Sequence, residues 1–217
     1  MIAVVCATKG DVENTLLYNS TFDIIDVAFA ANNTDPLSVV YNDAIRDFPR
    51  DEFDWIVFVH DDVILEAPEA LARQIYTLGD QFDVIGCAGT REAKLSEPAL
   101  WHLMSDRKAH RGAVAHLHEG KKFMTSFGSY PDRVVMIDGV FMAVKTKVFE
   151  KVKFDTSNPA GFHFYDLDFS LSAHKAGFKI GVGDITITHA SPGLKEFTED
   201  WKKGQEWFLK KHRGTIK

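Results

Sequence analysis

Apolar runs that alternate with amphipathic segments constrain the fold of this chain more strongly than any other feature of its sequence. Runs with the length and β-branched content of buried strands occupy residues 2–7, 24–30, 55–59 and 82–88. Between them, residues 36–48 and 68–78 carry apolar side chains at helical spacing. This alternation predicts an α/β domain with a central mixed, mostly parallel sheet and helices on both of its faces.

The second half of the chain has a different pattern. Residues 90–133 show little periodicity, which predicts a long functional loop; the alternative is a surface excursion without a role. Further elements are predicted as strands at residues 134–137, 141–145, 179–182 and 185–189, and as helices from Asp166 to Gly177 and over residues 195–212.

Composition excludes some classes of function. A chain of 217 residues with 45% hydrophobic content is expected to form one domain, residues 1–217. Its net charge of −6 argues against a nucleic-acid-binding surface, so we expect no nucleic-acid partner. Cys6 and Cys87 lie in apolar runs and are expected to be free core residues. No run is long enough for a transmembrane segment, and a cytoplasmic location is expected.

Polar residues follow three of the predicted strands at the point where each strand ends. They are Thr8 and Lys9 after the first strand, Asn32 and Asn33 after the second, and His60, Asp61 and Asp62 after the third. Ala7, the last residue of the first strand, is a further nucleotide-binding candidate. Because ligands of open α/β sheets bind beyond the carboxyl ends of the strands, we expect one shared crevice. Amides and hydroxyls there suit a base and a ribose, and adjacent carboxylates suit a Mg²⁺ or Mn²⁺ ion carrying a diphosphate.

The string VFVHDDVIL indicates a division of roles within that crevice. Along an extended strand, His60 and Asp62 share one face and Asp61 lies on the other. We therefore expect Asp62 to bind the metal and Asp61 the ribose. The alternative is a pair of carboxylates that cap the next helix or face water.

A second group of candidates lies near the end of the chain. Asp166 is placed at a predicted helix start, where the helix dipole favours an ionised carboxylate able to act as a general base. Asp168 is two residues further and does not share its face. Both acids can instead serve as helix caps. His189 ends a strand and is either structural or a ligand that completes the metal site of Asp62.

Six segments carry a resemblance to a known family. NNTDPLSVVYNDAI, WIVFVHDDVIL, FDVIGCAG, VVMIDGVFMAV, FHFYDLDFSLSAHKAGFKIGV and ITITHASPG, in this order and spacing, resemble the glycosyltransferase family 2-like proteins of the GT-A fold. The similar subgroup acts on bacterial surface polysaccharides and some viral glycans. The resemblance implies a Rossmann-like domain with a nucleotide-binding half at about residues 1–89 and an acceptor and catalytic half at about residues 90–217.

The resemblance also implies roles for particular residues. His60, Asp61 and Asp62 match the family's metal- and nucleotide-binding triplet, Asp166 matches the base of its inverting members, and Asp138 and Gly139 lie by the donor sugar or acceptor. His189 is expected near the metal or the diphosphate. Two positions depart from the pattern, because His60 stands where relatives carry Asp and Tyr165 stands where many carry Glu.

The implied activity is a metal-dependent transfer of a hexose with inversion, from a UDP-sugar, UDP-glucose first, to a glycan or lipid-linked saccharide acceptor. Mn²⁺, or Mg²⁺, is the expected cofactor, and peripheral contact with a membrane stays open. Trp101 is either a platform for a sugar ring or a core residue, and Gly139 and Asp168 are the other candidates near the sugars. Two alternatives remain, an inactive nucleotide-sugar-binding module and a sugar nucleotidyltransferase.

Overall fold

The computed structural model describes residues 1–49, 51–93, 96–191 and 196–213 and shows a mixed α/β fold. In the described residues, the strands are β1 Ile2–Ala7, β2 Val27–Ala30, β3 Trp55–Val59, β4 Val63–Leu65, β5 Val84–Gly86, β6 Ala88–Thr90, β7 His110–His118, β8 Lys121–Gly128, β9 Asp132–Arg133, β10 Met136–Ile137, β11 Phe141–Lys145, β12 Ile180–Val182 and β13 Ile187–His189. The α-helices are α1 Leu16–Thr21, α2 Leu37–Asp47, α3 Leu71–Gly79, α4 Trp101–Met104, α5 Tyr165–Lys175 and α6 Glu199–Lys211.

The larger sheet has the order β2-β1-β3-β11-β5-β12-β9. Strands β2, β1 and β3 pair in parallel, as do β5 and β12, whereas β11 runs antiparallel between β3 and β5. The predicted mixed sheet of an α/β domain is therefore confirmed. In the described residues, three of its six pairings, β3–β11, β11–β5 and β12–β9, are antiparallel, so the sheet is not mostly parallel. The parallel strands β1, β2 and β3 end at one edge, which is where the candidate site lies.

A second sheet, with the order β10-β6-β7-β13-β4 and with β8 paired to β7, covers part of the first. It contains the main departure from the sequence expectation. The region 90–133, predicted as a loop, holds the β7–β8 hairpin, whose two-residue turn at Glu119 and Gly120 has φ values of 49° and 73°. A turn with two positive φ values matches the twist of the paired strands.

Alternation along the strands of the larger sheet divides the core into two layers. Val5 and Phe58 point to one face and pack with α2 and α5, in a cluster that includes Tyr41 and Phe169. Val4 and Val57 point to the other face, toward α1, α3 and the second sheet. Helices therefore cover both faces, and each fully buried apolar side chain of this kind contributes about 1.5–3 kcal/mol.

Helix ends bring particular residues to the edge of the sheet. Helix α2 begins after Pro36 and buries Leu37, Tyr41 and Ile45, which are spaced one turn apart. Helix α5 begins after Phe164, whose φ of 66° turns the chain sharply so that the first turn of α5 faces the ends of β3 and β11. The predicted helix end is also present, since Gly177 has a φ of 91°.

The last predicted helix is shorter than expected. It begins at Glu199 after the capping side chain of Thr198, while Lys195, its predicted first residue, lies outside the described residues. Pro192 and Gly193 of the ITITHASPG segment also lie outside them. Cys6 and Cys87 are buried free thiols, as expected. In the part of the chain that the structure describes, no helix is long and apolar enough to cross a membrane.

Candidate active site

A cavity of about 520 Å³ opens at the carboxyl ends of β1, β2 and β3. Four of the residues predicted to bind a nucleotide line it, namely Ala7, Thr8, Asn33 and Asp61. Lys9 and the segment Ala160–Phe162 complete its wall. Asn32 does not line the cavity; its side chain is exposed and its φ is 51°. The prediction of one shared crevice is met for three strand ends, with Asn33 rather than Asn32 turned toward it.

The turn after β3 directs Asp61 toward this cavity. Strand β3 ends at Val59, so strand alternation does not govern the three polar residues that follow it. Instead, the carbonyl of Asp61 accepts hydrogen bonds from the N–H groups of Leu16 and Leu17 at the start of α1, at 3.0 and 3.2 Å. This anchor fixes the turn, and Asp61 is separated from His60 and Asp62 as the sequence analysis expected.

His60, Asp62 and His189 form a compact cluster beside the cavity. Their ligand atoms all lie within 4.8 Å of one another. Strand register explains the meeting, because β13 pairs antiparallel with β4 and places His189 opposite Val63. The N–H of Ala190 also donates to the carbonyl of Asp62 at 2.9 Å. The end of β13 and the segment from Asp62 into β4 are thus hydrogen-bonded to each other, although they are far apart in sequence.

The cluster has the chemistry of a divalent-cation site. Oδ1 of Asp62 is buried and accepts no well-aligned hydrogen bond from the described residues. It lies 3.3 Å from Nε2 of His189 and 4.0 Å from Nδ1 of His60. A buried carboxylate oxygen facing two imidazole nitrogens costs free energy unless a proton on His189 or a cation bound between the groups compensates its charge. Two nitrogens and one oxygen are ligands suited to borderline metal ions.

Electrostatics support an ionised Asp62 in this cluster. Burial raises the pKa of the Asp62 carboxyl group. The contact with His189 and the charge of its ring lower this pKa by more, so the pKa of Asp62 stays below its usual value. Burial likewise lowers the pKa of His189, and Asp62 reverses that effect and raises it. A cation at this point would replace the proton shared by the pair.

Tyr165 is hydrogen-bonded to His60. Its hydroxyl lies 2.8 Å from Nε2 of His60 and 3.2 Å from the carbonyl oxygen of Gly139, to which it can donate. The direction of the bond to His60 depends on the tautomer of the imidazole. In the tautomer with the proton on Nε2, the hydroxyl donates to Gly139, and Nδ1, which lies 4.0 Å from Oδ1 of Asp62, keeps a free lone pair. Burial also lowers the pKa of His60, which keeps the ring neutral as a metal ligand requires.

Asp166 lies in the first turn of α5 and accepts the N–H of Gly139 on Oδ2 at 2.7 Å. Burial, with a further contribution from the negative charge of Asp138, raises its pKa to about 7, although bonds from backbone N–H groups oppose the rise. The expectation of a fully ionised carboxylate is therefore wrong, because burial and a neighbouring charge outweigh the helix dipole. A pKa close to neutral is well matched to a general base.

Gly139 separates the metal cluster from the candidate base. It is buried, and a Cβ atom at this position would overlap the hydroxyl of Tyr165 and Cβ of Asp166. Its neighbour Asp138 accepts the N–H of Val140 at 3.0 Å and is partly buried. A glycine is required here because both side chains of α5 approach the backbone closely. Gly139 is itself buried, and its N–H is used on Asp166.

Two further sequence expectations are corrected. Trp101 is only 2% exposed and packs against Phe127, with ring centroids 5.2 Å apart, so it is the core residue of the two alternatives. Asp168 is only 1% exposed and bonds Nε2 of His212 at 2.8 Å and Nζ of Lys211 at 2.9 Å. It attaches α6 to α5 and does not face the crevice, because its partners come from a remote helix that the sequence pattern does not reveal.

The basic side chains of the β7–β8 region are used in separate ion pairs. Arg111 pairs with Asp132, and Lys122 pairs with Glu66, both at 2.6 Å. His116 lies nearer the ligand cluster, since its ring centroid is 6.2 Å from that of His189. The sequence analysis gave no site role to Phe162 or His116, and it noted Tyr165 only as a departure from the family pattern. Their contacts arise from tertiary structure, and the aromatic segment FHFY before Asp166 is the only sequence signal for Phe162 and Tyr165.

Comparisons with known proteins bear on the family and the fold of the chain. A family model described as glycosyltransferase-like family matches residues 19–212. Among solved structures, TarS 1-349 of S. aureus is similar over 98% of this chain and 72% of its own, with 12% identity and a TM-score of 0.51, which supports the fold. A197 from STIV is similar over 91% of this chain and 98% of its own, with 13% identity and a TM-score of 0.46. No curated protein matches the chain.

Proposed function

The chain belongs to the glycosyltransferase-like family, and on that premise we propose that it transfers a hexose from a UDP-sugar to a glycan or lipid-linked saccharide acceptor. In this proposal, His60, Asp62 and His189 bind Mn²⁺ or Mg²⁺. The observation that carries the proposal is the adjacency of three features. A nucleotide-sized cavity adjoins a ligand cluster with an unsatisfied carboxylate oxygen, and Asp166, with its pKa of about 7, lies across the Gly139 backbone from that cluster.

The nucleotide occupies the cavity in the half of the domain formed by about residues 1–89. Thr8 and Asn33 offer a hydroxyl and an amide to a pyrimidine edge, and Asp61 binds the ribose hydroxyls. Lys9, at the mouth of the same cavity, is placed to meet a phosphate. The diphosphate then extends from this cavity toward Asp62, since Phe162 lines the cavity and its ring also lies 5.4 Å from that of His60.

A divalent cation bound by this cluster would neutralise the negative charge of the departing diphosphate. The protein supplies the rest of the chemistry. Tyr165 holds His60 with Nδ1 toward Asp62, and Asp166 takes the proton of the acceptor hydroxyl. The acceptor oxygen forms a bond to the anomeric carbon as the bond from that carbon to the diphosphate oxygen breaks, and UDP leaves with the electron pair. A single displacement of this kind inverts the anomeric centre.

Asp138 contributes by its charge. With two carboxylates sharing a buried region, ionisation of one disfavours ionisation of the other, so Asp166 holds a proton more firmly than a solvated carboxyl would. Asp166 is consequently a competent base only after that proton is lost, and it returns the acceptor proton to solvent at the end of the cycle.

The direct test is donor turnover followed by proton NMR. UDP-glucose, UDP-galactose and UDP-N-acetylglucosamine are incubated with the protein and Mn²⁺, with water as the default acceptor, and the anomeric proton of the released sugar is recorded before mutarotation. We expect slow release of UDP from one donor, with inverted configuration. Binding of UDP without turnover of any donor would favour the inactive nucleotide-sugar-binding module instead.

A further inference from the structure

Three strands of the second sheet place a row of rings on one face. The register sets Phe123 opposite His116 and His116 opposite His189, on β8, β7 and β13 in turn. Directly opposed residues of paired strands point to the same face of a sheet. The ring centroids of Phe123 and His116 are 5.3 Å apart and the planes are stacked at 28°, and those of His116 and His189 are 6.2 Å apart.

The row continues across the ligand cluster to the nucleotide cavity. The ring of His60 lies 5.9 Å from that of His189, and Phe162 lies 5.4 Å from His60. Phe162 lines the nucleotide cavity, so the row has a donor end at Phe162 and an opposite end at Phe123. The centre of the proposed transfer reaction lies between these ends.

Phe123 is unusual because it is an apolar ring left in solvent on the face that carries the site. It is 52% exposed, whereas Phe127, four residues further along β8, is partly buried against Trp101. Phe127 and Trp101 therefore brace β8 from beneath, while the ring of Phe123 stays accessible. The apolar C–H face of a pyranose packs on such an aromatic surface, with its hydroxyls left for polar neighbours.

We propose that Phe123, stacked on His116, is the platform that binds the acceptor saccharide. This inference rests on the proposed function and extends it to the acceptor side of the site. His116 supplies a ring nitrogen beside the stacked sugar, which can form a hydrogen bond to a sugar hydroxyl. Trp101, for which a sugar platform was one of two alternatives, is a core residue, and the proposed platform is a ring on the hairpin that the sequence analysis did not predict.

The opposite face of the hairpin provides a matched control. Lys122 and Met124 point away from the row, and Lys122 pairs with Glu66, which also bonds Thr188 on that face. Met124 is 60% exposed, close to the exposure of Phe123. A saccharide platform requires only the Phe123 face, whereas insertion of the hairpin into a lipid surface would use both apolar side chains.

The experiment is saturation-transfer NMR on the full chain with UDP and Mn²⁺. The probes are methyl β-glucoside, methyl β-galactoside, methyl α-mannoside and N-acetylglucosamine. We expect transfer to the ring C–H protons of at least one probe in the wild type and in Met124→Ala. We expect at least tenfold weaker binding in Phe123→Ala and recovery in Phe123→Trp. Equal signals in Phe123→Ala and wild type, or no signal from any probe in the wild type, would overturn the platform.

Two accompanying measurements separate this inference from its premises. UDP binding is titrated in the same samples, and a saccharide signal that persists without UDP binding would refute the donor assignment while leaving the platform standing. Sedimentation with phosphatidylglycerol vesicles is compared for both alanine variants. Loss of vesicle binding in both variants, with saccharide binding unchanged, would assign Phe123 to a lipid surface and refute the platform.

Discussion

Replacement of Asp166 by Asn tests the proposed base while preserving its contacts. Asn keeps an oxygen that can accept the N–H of Gly139, but it cannot ionise or take a proton. If Asp166 is the base, kcat at pH 8 should fall by about 10²–10⁴-fold, the usual effect of losing a positioned base. UDP affinity should be unchanged, because Asp166 does not line the nucleotide cavity.

The raised pKa of Asp166 also predicts how stability changes with pH. The folded state disfavours the charged form of Asp166, so ionisation of this residue lowers the free energy of unfolding. This destabilisation is absent below the pKa that Asp166 has in the unfolded chain, grows as pH rises and is complete above about pH 7. A rise from 3.8 to about 7 sets an upper limit of about 4 kcal/mol. The stability that Asp166→Asn gains over the wild type should therefore be larger at pH 8.5 than at pH 4.5, by at most that amount.

The assays are turnover from pH 5.5 to 9 and denaturant unfolding of the metal-free protein at pH 4.5 and 8.5. Wild-type kcat should rise through about pH 7 as Asp166 loses its proton. Asp200→Asn is the matched control, since Asp200 is an exposed acid in the first turn of α6. Its effect should stay within about 1 kcal/mol. Near-normal turnover in Asp166→Asn, together with a stability difference independent of pH, would refute the assignment.

Three further predictions concern neighbouring features of the site. Tyr165→Phe removes the hydroxyl that orients His60, so calorimetry should show Mn²⁺ affinity about 10–100-fold weaker, with unfolding little changed; equal affinity would show that the tautomer needs no such support. Gly139→Ala forces a methyl group against Tyr165 and Asp166, and overpacking of this kind should lower the free energy of unfolding by roughly 1–3 kcal/mol. We expect the activation free energy derived from turnover to rise by far more than that; a larger loss of stability than of turnover would argue against a positioning role. UDP should raise the melting temperature more than GDP, because short side chains at Thr8 and Asn33 suit a pyrimidine; equal shifts would mean that the base binds elsewhere.

The sequence was sufficient to predict the elements whose apolar period is clear. The predicted bounds of β1, β3 and β11 match the structure, because each is a buried run of β-branched or aromatic residues. The β7–β8 hairpin was missed for physical reasons. Strand β8 is largely exposed and begins with Lys121 and Lys122, so its apolar alternation is weak. The turn uses Glu119–Gly120 rather than the Asn-Gly or Asp-Gly that usually marks such turns.

The candidate site was predicted in part. Residues that end parallel strands could be placed together, because topology alone brings Thr8, Asn33 and Asp61 to one edge. The contact between His60 and Tyr165 could not be predicted, since the two residues are 105 positions apart in the chain. They meet because the end of β3 lies beside the start of α5 in the folded domain. These are the two positions that depart from the family pattern, and the structure shows that they are hydrogen-bonded to each other.

In the proposed mechanism, a divalent cation held by His60, Asp62 and His189 joins the nucleotide to the site. The most direct measurement is a thermal shift with UDP, with and without Mn²⁺, on the wild type, Asp62→Ala and His189→Ala. At 100 times the dissociation constant, UDP should stabilise the wild type by about 2.7 kcal/mol, or roughly 5–10 °C for a domain of this size, only when Mn²⁺ is present. Asp62→Ala should stay folded and lose this shift, and His189→Ala should lose part of it. A shift of the same size in Asp62→Ala, or in the wild type without metal, would contradict the account.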